Sequence, residues 1–460
     1  MSNHSDTFIA KSTIKAADME HRRKISFNMS KYDAAVIAGK QQFTDLMDVR
    51  MQAKNIKWEA IEHLDTYLEQ FEKNITARGA KVIWAEDAVQ ALAAIGKICK
   101  EKNCTTLVKS KSMVTEEIHL NTFLEKNGIE SVETDLGEYI QQLDGEPPYH
   151  IVTPAMHKSK EDVAKLFANK LGVPDGLSPE QITKIAREKL REKYVRAEVG
   201  VTGANFIVAE TGSICVTENE GNARLSSAWP KTHIVIAGIE KLIPKLEHLS
   251  LLWPLLATFG TGQKMTVYNT IISGPRQKNE TDGPEEMYVI LLDNGRTNLL
   301  ANDKMREGLY CIRCGACLNA CPVYKNIGGH SYDATYSGPI GKAITPLLQG
   351  VHEYKHLSYA SSLCGNCTEV CPVRINLHEL ILENRHIAVK QGESNLSERV
   401  AWKLWKQASL NRNFMNMGSG SMKNKVVNGL FKSWSRHRAD LNFSNKTFNE
   451  MWKEKMKDTK

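Results

Sequence analysis

The chain has 460 residues, 42% hydrophobic and 25% charged, the make-up of an ordinary soluble protein with room for about two to four domains. The N-terminal stretch MSNHSDTFIAKSTIKAADMEHRRK is polar throughout and argues against a secretory signal. The longest apolar run, LSLLWPLLATF at 249–259, is far shorter than the roughly 20 residues a membrane helix needs. The expectation is a cytoplasmic protein with no transmembrane segment. The net charge of +7 is unevenly placed: residues 399–460 hold fourteen Lys/Arg against four Asp/Glu, a tail of +10.

In chain order, 1–55 reads as a helical, peripheral segment with no site. KWEAIEHLDTYLEQFEKNITARG has helical spacing and closes on a glycine, and KVIWA follows as a buried strand. A helix over 87–101, the strand TTLVKS, a helix over 114–126 and the strands IESVETD and HIVTP come next. This alternation predicts a mostly parallel sheet covered by helices. From about 195 the stretch VRAEVGVTGANFIVAETGSICVTENEGNARL alternates apolar runs with glycine turns, which suits strands joined by tight hairpins. KTHIVIAGI, KMTVYNTIIS and MYVILLD are further strands, with a helix near 241–258 between the first two. Residues 56–295 are therefore read as one α/β domain, 300–390 as a separate helical cysteine domain, and 391–460 as a basic helical region. The last carries Trp402, Trp405, Trp434 and Trp452, with a flexible break at GSGSMKNK, 418–425.

Seven of the ten cysteines cluster in two segments, CIRCGACLNACPV at 311–323 and SSLCGNCTEVCPV at 361–373. In a cytoplasmic chain this spacing reads as metal ligation. Cys99, Cys104 and Cys215 lie in apolar surroundings and read as core residues. Zinc sites pair their ligands across a longer spacer. Cys-x-x-Cys-x-x-Cys instead offers three thiolates to one cubane, and the fourth cysteine, before proline, reaches a second cluster. The expectation is two 4Fe–4S clusters. Cys311, Cys314, Cys317 and Cys371 hold the first, and Cys321, Cys364 and Cys367 the second. Ser361 stands where a fourth thiolate of the second segment would fall. That cluster is accordingly a 3Fe–4S centre or takes a non-cysteine ligand.

CIRCGACLNACPVY, YSGPIGKAITPLLQG and SSLCGNCTEVCPVRINLHELI together resemble the iron–sulfur subunit of the bacterial L-lactate utilization system, the lactate utilization protein B family. Upstream, VTGANFIVAETGSICVTENEGNARL resembles the α/β domain that names that family, and the basic C-terminal region also fits. The resemblance implies cytoplasmic electron transfer in the oxidation of L-lactate to pyruvate, which allows growth on lactate. It implies two companions, a cysteine-rich A-type subunit and a C-type subunit. It also implies that the α/β domain is akin to the sugar-phosphate isomerase and CoA-transferase fold.

The chain shows no catalytic machinery for breaking a C–H bond. FGTGQKM at 259–265 is a weak partial match to a dinucleotide fingerprint. An electron carrier is therefore expected rather than a stand-alone catalyst. The alternative is a dicluster subunit of another oxidoreductase, of glycolate oxidase or heterodisulfide reductase type, with a separate small-molecule-binding domain. An anion site in the α/β domain would draw on Lys109, Lys111 and Arg224 and on the turns at 200–204 and 210–213, with Glu210, Gly212 and Ser213 next. Solvated surface charge and hairpin turns are the plainer reading of these residues. No nucleic-acid motif is present, so the tail is read as a dock for an acidic protein.

Overall fold

The computed structural model describes residues 4–394, 396–430 and 439–458. The chain divides into two compact units, Met1–Lys390 and Gln391–Lys460. The described residues carry ten strands: β1 (Lys81–Ala85), β2 (Thr106–Lys109), β3 (Glu130–Glu133), β4 (Val199–Thr202), β5 (Phe206–Val208), β6 (Ser213–Glu218), β7 (Thr232–Gly238), β8 (Leu242–Ile243), β9 (Tyr268–Ile272) and β10 (Glu286–Leu292). Six of them form one sheet in the order β1-β10-β7-β4-β2-β3, parallel throughout. The central strands THIVIAG and EMYVILL are nearly continuous apolar runs because both faces of the sheet are covered. Their two-residue period sends Ile234, Ile236 and Ile290 into one core and Val235, Ala237 and Val289 into the other.

A smaller sheet has the order β8-β5-β6-β9, with β5 and β6 an antiparallel hairpin. Only this hairpin matches the expected meander around 195–225. β4 does not pair with β5; it enters the large sheet between β7 and β2, because its four buried residues VGVT fit a doubly covered position. Gly200 sits on β4 where the helix Asn222–Ala228 presses closest: a Cβ there would lie 1.8 Å from the Ser226 carbonyl oxygen. Gly200→Ala should cost about 1–3 kcal/mol through forced displacement of that helix. A thermal unfolding midpoint equal to the parent's would refute this contact.

Four further expectations are corrected. HIVTP is not a strand: the His150 imidazole Nδ1 accepts the N–H groups of Val152 and Thr153 at 3.1 and 3.3 Å, closing a tight turn that strand pairing would have to break. The helix over 114–126 is two, Met113–Glu117 and Leu120–Lys126, broken at His119 with φ +54°. The helix expected near 241–258 is Leu249–Thr261, since Leu242 and Ile243 pair with β5 instead. The segment 1–55 is helical, but it is not peripheral. Ile25 and Met29 of the helix Met19–Lys40 are fully buried, and Arg50 of the helix Leu46–Glu62 donates to the carbonyls of Cys371 and Glu369. A Cβ on Gly39 would meet the Gly262 oxygen at 2.5 Å, so the first of these helices approaches Leu249–Thr261 through bare backbone.

The cysteine segment packs its short helices on the same core that covers one face of the large sheet. The second unit holds the helices Leu396–Leu410, Arg412–Asn416, Gly420–Leu430 and Phe448–Asp458. GSGSMKNK is thus mostly helix rather than a break; Gly418 turns the chain at φ +78° and Ser419 Oγ accepts the Met422 N–H, starting the helix. Trp402, Trp405 and Trp452 are exposed, and Trp434 lies outside the described residues. Among the described residues no helix is long and apolar enough to cross a membrane.

Candidate functional site

The loop Cys311–Gly315 carries two successive turns against the usual backbone handedness, with Arg313 at φ +61° and Gly315 at φ +81°. This curls the first segment so that Cys311, Cys314 and Cys317 face one small enclosed space of about 20 Å³, and Cys371 of the second segment faces the same space. Ile151, Ile340 and Val373 wall it. The N–H of Arg313 donates to Cys311 Sγ and that of Ile375 to Cys371 Sγ, each at 3.4 Å. Burial, reinforced by the neighbouring sulfurs, pushes the thiols of Cys314, Cys317 and Cys371 well up. Anionic sulfur is therefore costly there unless a bound cation offsets it. Four convergent sulfurs, amide donors to sulfur and an apolar wall fit an iron–sulfur cluster.

Cys367 has Cys321 and Cys364 as its sulfur neighbours, and burial raises its thiol to about 11. Asn366 ties this loop to the first segment by donating to the Ala320 carbonyl at 2.9 Å. Fully buried Lys342 points its ammonium at Cys321 Sγ, 3.6 Å away. Its placement has a local cause. Pro346 in the helix Gly338–Gln349 has no N–H for the Lys342 carbonyl, and Asn384 supplies the missing donor at 3.0 Å. The sequence read YSGPIGKAITPLLQG only as resemblance; the lysine one turn before an in-helix proline was the available signal.

Ser361 repeats the backbone of Cys311. Leu363 takes φ +54° where Arg313 takes +61°, and Gly365 takes +80° where Gly315 takes +81°. The Leu363 N–H donates to Ser361 Oγ at 3.2 Å, as the Arg313 N–H does to Cys311 Sγ. Arg385 holds the loop from behind through the Ser361 carbonyl. Cys364 is exposed, unlike Cys314 at the same place in the first loop.

A cavity of about 570 Å³ opens beside the first cysteine group, and Cys314 lines both. It lies at the carboxyl ends of β2, β3, β4 and β7, where parallel sheets place ligands. Lys111 reaches it but is paired with Asp135 at 3.1 Å and donates to the Val152 carbonyl. Lys109 does not line it: its ammonium is fully buried against Glu133 and Glu116, at 2.7 and 2.9 Å. Arg224 is exposed and lies over the Tyr268 ring. Of the two glycine turns, only Gly203 and Ala204 line the cavity. Gly212 packs on the Ile75 backbone, Ser213 bonds Ser273, and Glu210 accepts the Leu246 N–H. Gly260 and Thr261 line it from the end of a helix, not from a phosphate loop after a strand.

The cations that sequence reasoning missed are Lys241 and Arg313, brought in from beyond β7 and from the cysteine loop. They flank a buried ion network. Arg296, 1% exposed, grips Glu117 with two nitrogens at 2.9 and 3.0 Å and also bonds Glu240, while Tyr336 donates to Glu117 at 2.6 Å. Glu240 also reaches Arg313 at 3.4 Å. Despite burial, these guanidinium groups hold the Glu240 carboxyl down at about 2. Lys57 donates to the carbonyls of Glu240 and Leu242 and so fixes the turn that carries Lys241. Burial lowers Lys241 to about 8, with Arg313 adding to the effect.

An α/β domain followed by two cysteine groups, the first of them beside the cavity at the end of its sheet, defines a class, and comparison with known proteins agrees with it. The LUD domain family matches residues 68–292 and the 4Fe-4S dicluster domain family matches 307–375. Lactate utilization protein B of Bacillus cytotoxicus is 44% identical over 420 residues, 89% of this chain and 88% of that protein. The protein of the same name from Bacillus velezensis is 47% identical over 374 residues, 81% of this chain and 78% of its own length. A crystal structure of a DUF162 family protein from Deinococcus radiodurans has a TM-score of 0.29 at 16% identity, covering 50% of this chain and 98% of that one. The chain belongs to the lactate utilization protein B family. It is an iron–sulfur protein of that family, with a mixed α/β LUD domain ahead of its dicluster region.

Proposed function

We propose that this chain is an iron–sulfur electron-transfer protein in the oxidation of L-lactate to pyruvate, acting beside A-type and C-type companion subunits. The observation that carries the reading is the mixing of the two segments: Cys371 joins Cys311, Cys314 and Cys317, while Cys321 joins Cys364 and Cys367. Clusters held by these two groups supply one-electron uptake and release. The protein's own part is to hold them close through shared segments, to keep water from the first group with Ile151, Ile340 and Val373, and to offset sulfur charge with Lys342 and the amide donors. Growth supplies the discriminating experiment. A deletion strain should fail on L-lactate and grow normally on glycolate; the reverse would favour a glycolate-oxidising partner.

With no hydride-handling motif in the sequence, the isolated cluster-loaded chain should not oxidise L-lactate, even with an artificial electron acceptor. Appreciable turnover in that assay would sink the carrier role. The second unit exposes Trp402, Trp405 and Trp452 on a strongly basic background, a composition suited to docking an acidic partner protein. Deleting 399–460 should weaken assembly with the companions and leave the iron content unchanged, and assembly of the full chain should weaken as salt is raised. Salt-insensitive assembly would count against an electrostatic dock.

A further inference from the structure

Lys241 is 7% exposed, and its ammonium has no hydrogen-bond or ion-pair partner among the described residues. The Arg313 side chain is 10% exposed; one of its terminal nitrogens reaches Glu240, while the other, Nη1, is buried without a partner. Both side chains line the 570 Å³ cavity. Two buried cations with free donors are costly unless an anion completes them. Glu240 does not meet that need alone, because its carboxylate is already divided between Arg296 and Arg313, and the Cys311 sulfur, which also faces both cations, belongs to the first cysteine group. The cavity has a second electrostatic region: Glu220 lies with Asp135 and Glu218, offset in part by Lys111 and, at Glu218, by Arg224. Between them run apolar and neutral polar walls, including Ile151, Leu256 and Tyr32.

We propose that this cavity binds a small organic monocarboxylate, a 2-hydroxy or 2-oxo acid, with its carboxylate between Lys241 and Arg313. That this acid is also the electron donor to the clusters rests on the function proposed above; the binding site itself does not. Lys241 and the free Arg313 nitrogen receive the carboxylate oxygens as charge-assisted donors. The substituent carbon then points into a space roomy enough for a hydroxyl or keto group and a longer side chain. Asp135, Glu218 and Glu220 oppose a second anionic group, so a monocarboxylate is favoured over a dicarboxylate. Cys314 on the cavity wall places the carboxylate beside the first cysteine group.

The test is calorimetric titration of the anaerobically reconstituted full-length protein with pyruvate, L-lactate, malate and inorganic phosphate, with iron and sulfide measured on each sample. Pyruvate and L-lactate should bind, and malate at least tenfold more weakly. Lys241→Met should weaken monocarboxylate binding at least tenfold at unchanged iron content, and Lys241→Arg should restore most of it. If Lys241→Met loses iron, Ala204→Phe serves instead, filling the cavity away from the cysteines and abolishing acid binding. The proposal is overturned if neither acid binds, if phosphate binds as tightly as they do, or if Lys241→Met shifts only the reduction potential. The last outcome would mean that the cations merely neutralise the cluster. Iron content and growth on lactate are read separately, so an empty titration leaves the electron-transfer function standing.

Discussion

Brief exposure of the anaerobically prepared protein to oxygen should produce a 3Fe-type paramagnetic signal from the second cysteine group while the first remains intact. Cys311, Cys314, Cys317 and Cys371 offer four sulfurs in an enclosed space. The second group offers three, one of which, Cys364, is exposed. In the cluster proposed there, a fourth iron would face either solvent or Ser361 Oγ, which the loop holds where its counterpart holds Cys311 Sγ. A serine hydroxyl is a weak ligand unless deprotonated, and its oxygen is meanwhile accepting the Leu363 N–H. Ser361→Cys should suppress the signal by restoring a sulfur at a position whose backbone already suits one. Cys364→Ala should abolish it. Simultaneous decay of both clusters, with Ser361→Cys changing nothing, would refute the three-thiolate description.

Arg296→Met should destabilise the protein by about 3–5 kcal/mol at neutral pH, because it removes the one cation paired with buried Glu117 and leaves buried Glu240 only the longer contact to Arg313. Both lie at or near 0% side-chain exposure, and each is held below its ordinary range by this guanidinium. The pH dependence follows from that direction. A carboxylate depressed in the folded state contributes stability that is fully present above its unfolded value, near 4.5, and is lost as pH falls through its folded value, about 2 for Glu240. The gap between variant and parent should therefore be widest at neutral pH and close as pH drops below about 4.5. Denaturant unfolding followed at several pH values checks it; a gap independent of pH would show that Arg296 acts through packing alone.

The legible parts of this chain were those written in local pattern. TTLVKS, KTHIVIAGI and MYVILLD announce doubly covered strands, since a parallel sheet needs continuous apolar runs; KVIWA is a strand too, but it lies at the sheet edge with Lys81 and Trp84 exposed rather than buried. The cysteine spacing announces iron–sulfur chemistry, because three thiolates on one tight loop suit a cubane and do not suit zinc. Where local pattern and local hydrogen bonding disagreed, the sequence misled. HIVTP looks like a strand, but the His150 ring captures the amides that a strand would pair. The helix Met19–Lys40 looks peripheral because its apolar residues do not gather on one face. Its burial relies on Ile25, Met29 and the close approach at Gly39, not on a broad apolar stripe.

The anion-site residues were illegible for a different reason. Lys109 and Lys111 advertise themselves beside a strand, yet their acidic partners arrive from other elements: Glu133 from β3, Asp135 from the turn after it. Lys241 and Arg313 sit 72 positions apart, one in a turn after β7 and the other between two cysteines. Nothing local distinguishes a paired lysine from an unpaired one, because pairing is a long-range property of the folded chain. Ligand types, their spacing, the order of domains and the basic tail are set within short stretches, where side-chain chemistry and helix or strand period act alone. Which sulfurs share a space, which cations keep a free donor and which carboxylates are already spent depend on contacts across many tens of residues. Those were decided only when the sheet, its crossover helices and the cysteine loops packed on one core.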